Sequence, residues 1–319
     1  MAEQSTRQFD LVLVTPQPLT LHPAAVYLSS LTSGSRRTMQ KALNVIARLL
    51  TSDKCDALSL DWSKLRYQHT AAIRAVLMEK YAPATANRML CAMRRVLKEA
   101  SRLGLMSADD YAASVDLKRV QGDSPLRGRL LKTSEIAALL SDCRNEPHYI
   151  GVRDAVLIAI LSGSGLRRAE LVALDRRDYK TEDGSLQVRK GKGGKSRTVY
   201  LPTGAVSALD AWLDVRGNAP GALICPVRRG GHVHIGRMTD QAVMTILRKR
   251  ALSAKVANFS PHDFRRTFIS NLLEAGVDVL TVSRLAGHAD PATTQKYDLR
   301  SEDSKREAVQ LLHVPYDDC

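Results

Sequence analysis

Six side chains in the C-terminal two thirds of the sequence have types and spacing that could do chemistry together. They are Arg167 in Ser164-Gly165-Leu166-Arg167-Arg168-Ala169-Glu170, Lys192 in Gly191-Lys192-Gly193-Gly194-Lys195, His262 and Arg265 in His262-Asp263-Phe264-Arg265, His288 after Gly287, and Tyr297 nine residues further on. Breaking a phosphodiester without a metal needs a nucleophile, positive charge on the non-bridging oxygens and proton transfer at both ends. Two arginines suit the phosphate, because a guanidinium is planar, always charged and able to donate two parallel hydrogen bonds. A phenol has an ordinary pKa of ~10 and needs help to attack at neutral pH, which neighbouring cations and an imidazole can give.

Other apparent motifs do not hold. Gly194-Lys195-Ser196 would close a phosphate loop only if position 189 were Gly; it is Arg189, and a strand follows rather than a helix. Gly163-Ser164-Gly165 would need Gly at 168 for a dinucleotide fingerprint, and Arg168 stands there. His232-Val233-His234 has no carboxylate or Cys nearby in sequence and reads as a loop or strand pair, so no metal site is expected.

The elements that must hold the six residues can be read locally. Leu186 to Lys190 and Ser196 to Leu201 alternate at period two around the Gly-rich turn, a hairpin carrying Lys192 at its tip. Asp154 to Leu161 reads as a buried helix ending in Ser162-Gly163-Ser164-Gly165, with helix resuming at Leu166. Thr133 is a plausible cap for a helix with Ile136, Leu139 and Leu140. Ser260-Pro261 opens a helix that Gly276 closes, with His262 and Arg265 one turn apart on one face and Phe264, Phe268 and Leu272 on an apolar stripe. Asp278 caps the next helix, closed by Gly287. Asp290-Pro291 repeats the cap signal and puts Tyr297 two turns into a short helix. Upstream, Met39, Leu43, Ile46 and Leu50 share a helix face, and Met89, Met93, Val96 and Leu97 another, with Arg88, Arg94, Arg95 and Lys98 facing outward.

The whole sequence of 319 residues is basic, with 47 Lys+Arg against 33 Asp+Glu. Residues 36–102 hold fourteen Lys/Arg and five Asp/Glu. A basic surface of this kind meets nucleic acid or an anionic membrane. No run of about 18 apolar residues offers a membrane span. The N-terminus lacks a secretory pattern, and five scattered cysteines fit neither a disulfide framework nor a zinc site, so a cytoplasmic, nucleoid-associated protein is expected.

In order and spacing, the segments around Arg167, Lys192, His262-x-x-Arg265, Gly287-His288 and Tyr297 resemble the catalytic signature of the tyrosine recombinases, the lambda-integrase-like family that includes the Xer recombinases. Residues 22–105 also resemble that family's helical core-binding domain. The sequence departs from the common pattern at Phe264, Arg266, Ala169 and Asp298-Leu299 without losing any of the six groups. The resemblance implies a fold that is mainly α with a small β-sheet. It comprises an N-terminal helical (SAM-like) core-binding domain and a mixed α/β catalytic domain. The expected boundaries are a loose arm over 1–20, the core-binding domain over 21–118, a linker over 119–132, the catalytic domain over 133–300 and a subunit-contact segment over 301–319.

It also implies the roles. Arg167 and Arg265 clamp the scissile phosphate, Lys192, with Lys190 and Lys195 as rivals for the role, protonates the leaving 5′ oxygen, and His262 handles the nucleophile's proton. His288 supports the phosphate or the nucleophile, which is Tyr297. Glu170, one turn beyond Arg167, orients it. Arg36, Arg37, Lys41, Arg88, Arg94, Arg95, Lys98, Lys190, Lys195 and Arg197 are expected to meet DNA. The implied partners are double-stranded DNA with paired recombination sites and a homotetramer on it, with an accessory protein or partner recombinase left open. No cofactor and no membrane are expected. The acidic tail, with Glu302, Asp303, Glu307, Asp317 and Asp318, carries Leu311 and Leu312 and would dock on a neighbouring subunit. Integration, cointegrate or dimer resolution and cassette movement all share this chemistry; the lack of a large N-terminal arm-site domain favours resolution or a mobile-element role. A topoisomerase-like nicking-closing enzyme and a non-catalytic DNA-binding regulator on the same fold are the competing readings.

Overall fold

In the computed structural model the chain divides into two compact units, Met1–Arg127 and Gly128–Cys319. The structure describes residues 11–122, 128–146, 148–189, 196–228, 230–288 and 290–297, and residues 306, 309, 310 and 312 of the tail.

The first unit is helical: α1 (Pro23–Ser29), α2 (Ser33–Thr51), α3 (Tyr67–Lys80), α4 (Pro83–Arg102) and α5 (Ala108–Val115). Apolar residues at three- and four-residue spacing bury one face of α2 and of α4, and these faces meet. Leu43, Ile46, Leu90, Met93, Val96 and Leu97 are fully buried, with Trp62 and Leu77 beside them. Met39 and Leu50, expected on the same stripe, are partly buried at its edge.

Two expectations about loose chain are corrected here. Residues 11–13 are not a free arm. Leu11 is buried, Asp61 N–H donates to the Leu11 carbonyl, and Leu13 N–H donates to that of Ser59. An apolar residue next to a sheet-like edge gains more from burial than it loses in chain entropy. Likewise the expected linker is anchored at both ends. Val120 is buried in the first unit, exchanging two hydrogen bonds with the Asn87 amide. Leu131 is buried in the second, its N–H donating to Thr267 Oγ1 at 2.8 Å.

The second unit is built around α7 (Tyr149–Ser164), which carries an almost continuous buried run from Val156 to Leu161. Six consecutive apolar residues in a helix point to every side and must be covered all round. Around α7 pack α6 (Thr133–Arg144), α9 (Thr203–Arg216) and α11 (Pro261–Glu274), with α10 (Asp240–Ser253) behind α6. Short α8 (Arg168–Ala173) leads to an antiparallel sheet, β1 (Tyr179–Lys180), β2 (Ser185–Val188) and β3 (Arg197–Tyr200), in that order. Leu186 pairs with Val199 and Val188 with Arg197, the two strands of the expected hairpin; β1, pairing Tyr179 with Leu186, is additional. The last helices are α12 (Val279–Ala286) and α13 (Ala292–Gln295).

Local chemistry sets most of the boundaries, with two corrections. The cap of α6 is Lys132 rather than Thr133, because the Glu135 carboxylate reaches back to the Lys132 N–H. The helix α7 runs through Ser162 and Gly163 and stops only at Gly165, which adopts the left-handed conformation (φ +59°). Among the described residues no helix is long and apolar enough to cross a membrane.

Candidate active site

Three local devices converge at one end of the second unit. The first is the turn between α7 and α8. Gly165 closes α7, and Arg167 caps α8 with its N–H donating to Glu170 Oε2 at 2.9 Å. The second is the start of α11. Pro261 fills the first helical position, and the Asp263 carboxylate accepts from the Ser260 N–H at 2.8 Å and the Ser260 hydroxyl at 3.0 Å. The third is the end of α12, where Gly287 takes the left-handed conformation and turns the chain toward His288.

Glu170 is the hub. Its carboxylate is almost fully buried and accepts from Arg167 Nη1 at 2.8 Å and from Arg197 Nη1 and Nη2 at 3.1 and 2.8 Å. Burial alone would push its pKa up. The hydrogen bonds from Arg197 and the Arg167 backbone N–H outweigh that and hold it at about 2. The two arginines extend the tie. Arg197 Nε donates to the Leu285 carbonyl at 3.0 Å and Arg167 Nη2 to the Gly287 carbonyl at 3.3 Å. One carboxylate therefore fixes α8, β3 and the end of α12 to one another.

Arg265 is 1% exposed, with Nη1 donating to the Gly165 carbonyl at 2.9 Å. Its Nη2 is buried and has no hydrogen-bond partner among the described residues. Burial, then the charge of Arg167, lowers its pKa to about 10. A buried, under-satisfied guanidinium is costly unless an anion meets it. It lines a cleft of about 380 Å³ together with Arg167, His262, Ser260 and the rim pair Arg168–Asp240.

Gly165 has a double constraint here. A Cβ would be strained at its positive φ and would land on the Phe268 ring, and its carbonyl is the acceptor that aims Arg265. Gly165→Ala should lower stability by about 1–3 kcal/mol and slow cleavage with little loss of DNA affinity. Thermal melting and single-turnover kinetics read the two effects.

His262 sits at the cleft edge, its Nε2 3.3 Å from the Tyr297 hydroxyl. Partial removal from water, then Arg265 and Arg266, lower its pKa, so the ring is neutral at pH 7 and Nε2 can accept the phenol proton. His288 Nδ1 shares a 2.7 Å hydrogen bond with Thr294 Oγ1, and its ring lies near-parallel to that of Tyr297 at 6.2 Å. Burial, then Arg265 and Arg167, depress its pKa to about 4.

Tyr297 is half-buried and packs beside Ile269, Leu273 and Val282. It lies just past α13 rather than two turns into it, its N–H donating to the Thr294 carbonyl at 2.9 Å. At its start the Asp290 carboxylate accepts from the Ala292 N–H at 3.0 Å.

Of the six residues singled out by sequence, five are thus brought to one end of the second unit. Lys192 lies outside the described residues, as do Lys190 and Lys195. Arg197, expected on DNA, is turned inward onto Glu170 and is 12% exposed. In the first unit Arg37, Lys41, Arg88 and Arg95 are exposed on α2 and α4, and Lys98 is half-buried. Arg94 is not turned outward: it donates to the Val115 and Leu117 carbonyls. Arg36 donates to the carbonyls of Leu28, Ser29 and Leu31 at the end of α1. A guanidinium beside a helix end satisfies carbonyls that lack helical partners. Sequence reasoning missed Arg266, whose guanidinium carbon lies 5.6 Å from the Tyr297 ring centre. The His232-x-His234 segment forms an isolated bridge through Val227 and Val233. Among the described residues no group of three His, Cys, Asp or Glu side chains is placed to hold a metal ion.

A helical unit followed by a helix-rich unit with a three-stranded sheet, and a cleft of arginines whose lining His262 meets a tyrosine, define an enzyme class that comparison makes concrete. The model of the phage integrase family matches residues 129–303. Tyrosine recombinase XerC of Pelobacter propionicus is 32% identical over 316 residues, 97% of this chain and 95% of that one. Tyrosine recombinase XerD of Mycobacterium leprae is 34% identical over 244 residues, 72% of this chain and 73% of that one. The chain belongs to the phage integrase family and is a tyrosine recombinase, of the class that cuts and rejoins DNA. Solved structures share the fold. The Tn1549 transposon integrase with transposon right-end DNA aligns with a TM-score of 0.69 at 15% identity, covering 92% of this chain and 98% of that one. The XerH recombinase bound to a palindromic difH substrate aligns at 0.63 and 18%, covering 96% and 92%.

Proposed function

We propose that this protein binds duplex DNA at paired recombination sites and exchanges strands through a 3′-phosphotyrosyl link on Tyr297. The observation that carries the reading is the Tyr297 hydroxyl 3.3 Å from a neutral His262, on the rim of a cleft lined by Arg167 and Arg265. His262 takes the phenol proton as the oxygen attacks phosphorus. Arg167 and Arg265 Nη2, which is without a partner among the described residues, hold the non-bridging oxygens, and the bond to the 5′ oxygen breaks. Lys192 gives that oxygen its proton, and His288 keeps the nucleophile's segment in place through Thr294. The released 5′ hydroxyl then attacks the partner strand's link, so bond energy is conserved.

Exposed Arg37, Lys41, Arg88 and Arg95 supply a salt-sensitive grip on phosphates. Assembly is as a homotetramer on two sites, the acidic tail reaching a neighbouring subunit. The biological role is resolution of cointegrates or dimers, or service to a mobile element.

Sheared DNA from the source organism, incubated with the protein and stripped under denaturing conditions, tests this. Wild type should retain a defined sequence covalently, and Tyr297→Phe should retain none while still shifting the same duplex in native gels. Capture by Tyr297→Phe, or none by wild type, rejects the reading. Relaxation of plasmid lacking the captured sequence, as the main activity, would point to nicking-closing instead. Sedimentation of the paired-site complex checks the tetramer.

A further inference from the structure

Three consecutive contacts leave the first turn and a half of α11 toward the nucleophile's surroundings. His262 meets the Tyr297 hydroxyl, Arg265 lines the cleft, and Arg266 faces the Tyr297 ring. Arg266 is a charged residue that is 9% exposed. Its Nε lies 3.9 Å from Asp263 Oδ1. Asp263 is itself 3% exposed and is shared with the start of the second unit, because its Oδ1 also accepts from the Arg129 N–H at 3.1 Å. The chain entering the unit presses directly on this pair. A Cβ at Gly128, whose φ is +109°, would collide with the Asp263 carboxylate and reach within 3.3 Å of the Arg266 guanidinium carbon. The guanidinium is thus set between the Asp263 carboxylate and the Gly128 backbone, with its carbon over the aromatic ring, 5.6 Å from the ring centre.

Tyr297 needs such a support. The helix leading to it is four residues long, and its own carbonyl accepts a 3.4 Å hydrogen bond from the Ser270 hydroxyl. Misplacement of a nucleophile by an ångström costs rate steeply. A cation over one ring face favours a single orientation.

We infer that Arg266 is a positioning residue for the recombinase nucleophile, its guanidinium fixed by Asp263 and holding the Tyr297 ring face so that the hydroxyl stays on His262. This rests on the phosphotyrosyl reading above, and its test separates the two. On a nicked duplex built from the captured sequence, Arg266→Met should slow single-turnover adduct formation about 30-fold, with duplex affinity changed less than about threefold. Arg266→Lys, which keeps a cation, should recover most of the rate. A wild-type rate in Arg266→Met overturns the inference, as does an Arg266→Lys as slow as Arg266→Met, or a loss of affinity that accounts for the loss of rate.

A second readout needs no DNA. In protein labelled with 3-fluorotyrosine, the fluorine resonance absent from Tyr297→Phe should be a single shifted line. Arg266→Met should move it toward the free-tyrosine position, and Arg266→Lys should move it less. An unmoved line overturns the inference even where adducts form normally, and a moved line upholds it even if wild type forms none.

Discussion

Arg265→Met should nearly abolish covalent capture of DNA while leaving the fold as stable as wild type or more so. Most buried charges are embedded in ion pairs, so their removal costs stability. Arg265 differs. It is 1% exposed, Nη1 donates to a neutral carbonyl, and Nη2 is partnerless among the described residues. Its pKa is lowered to about 10 by burial and by Arg167, against an ordinary value of 12.5. The sign follows from linkage. Between those two values the unfolded chain holds the proton and the native one does not, so stability rises with pH there; below both, the full cost of a buried cation is present. At neutral pH that cost is about 3 kcal/mol. Methionine keeps the aliphatic stem packed and removes the cost. The melting temperature should therefore hold or rise, while single-turnover adduct formation falls about 10³-fold, the loss expected when a donor to a developing oxyanion is removed. DNA affinity, spread over many phosphates, should change little. A drop in melting temperature of several degrees would show that Arg265 holds the fold together, and a modest loss of rate would remove it from the phosphate.

The features that sequence reveals at this site are those encoded locally. Gly165 and Gly287 end helices in the left-handed conformation, Ser260-Pro261 begins one, and Asp278 caps another. Each depends on residues within one turn, and together they fix where Arg167, Arg265 and His288 emerge. The two-unit organisation also follows from patterning, since the apolar stripes of α2 and α4 face each other and the apolar run of α7 from Val156 to Leu161 can only be a core. Relations across the chain are different. Nothing in Ser196-Arg197-Thr198 says that Arg197 turns back 27 residues to Glu170 instead of outward to DNA. Arg94 and Arg36 look like members of a basic face, yet carbonyls at nearby helix ends claim them. Strand β1 has two residues and so no period to detect. Arg266 stood out only as a departure from a familiar pattern; its meaning depends on where Tyr297 lands once α12 has packed on α11.

Glu170→Ala should cost both stability and activity, the opposite signature to Arg265→Met. Glu170 is the sole carboxylate tying Arg167 and Arg197 among the described residues, and through them the carbonyls of Gly287 and Leu285. Its removal leaves two cations facing one another at close range with Arg197 only 12% exposed. A buried pair broken on one side costs about 3–5 kcal/mol, and adduct formation should fall more than about 10²-fold because Arg167 loses its aim. Adding Arg197→Leu to Glu170→Ala should return part of the stability, since the uncompensated charge is gone, but not the rate, since Arg167 remains loose. If the double variant is no more stable than the single, the network is not the origin of the loss. Acid titration gives an independent check on the same carboxylate. Glu170 has a pKa of about 2 in the folded protein against 4.5 ordinarily, so its contribution is complete above pH 4.5 and fades as pH falls toward 2. His288, lowered to about 4 from 6.5, acts in a higher window. Between those values the unfolded chain takes up a proton that the native site refuses, so stability falls as pH drops from 6.5 to 4. Wild type should therefore lose melting temperature over both windows. Glu170→Gln should flatten the limb below pH 4.5, and His288→Ala should flatten the one above it. A Glu170→Gln curve parallel to wild type below pH 4.5 would mean that Glu170 is not held ionised by its two arginines, and the central tie of the site would have to be assigned elsewhere.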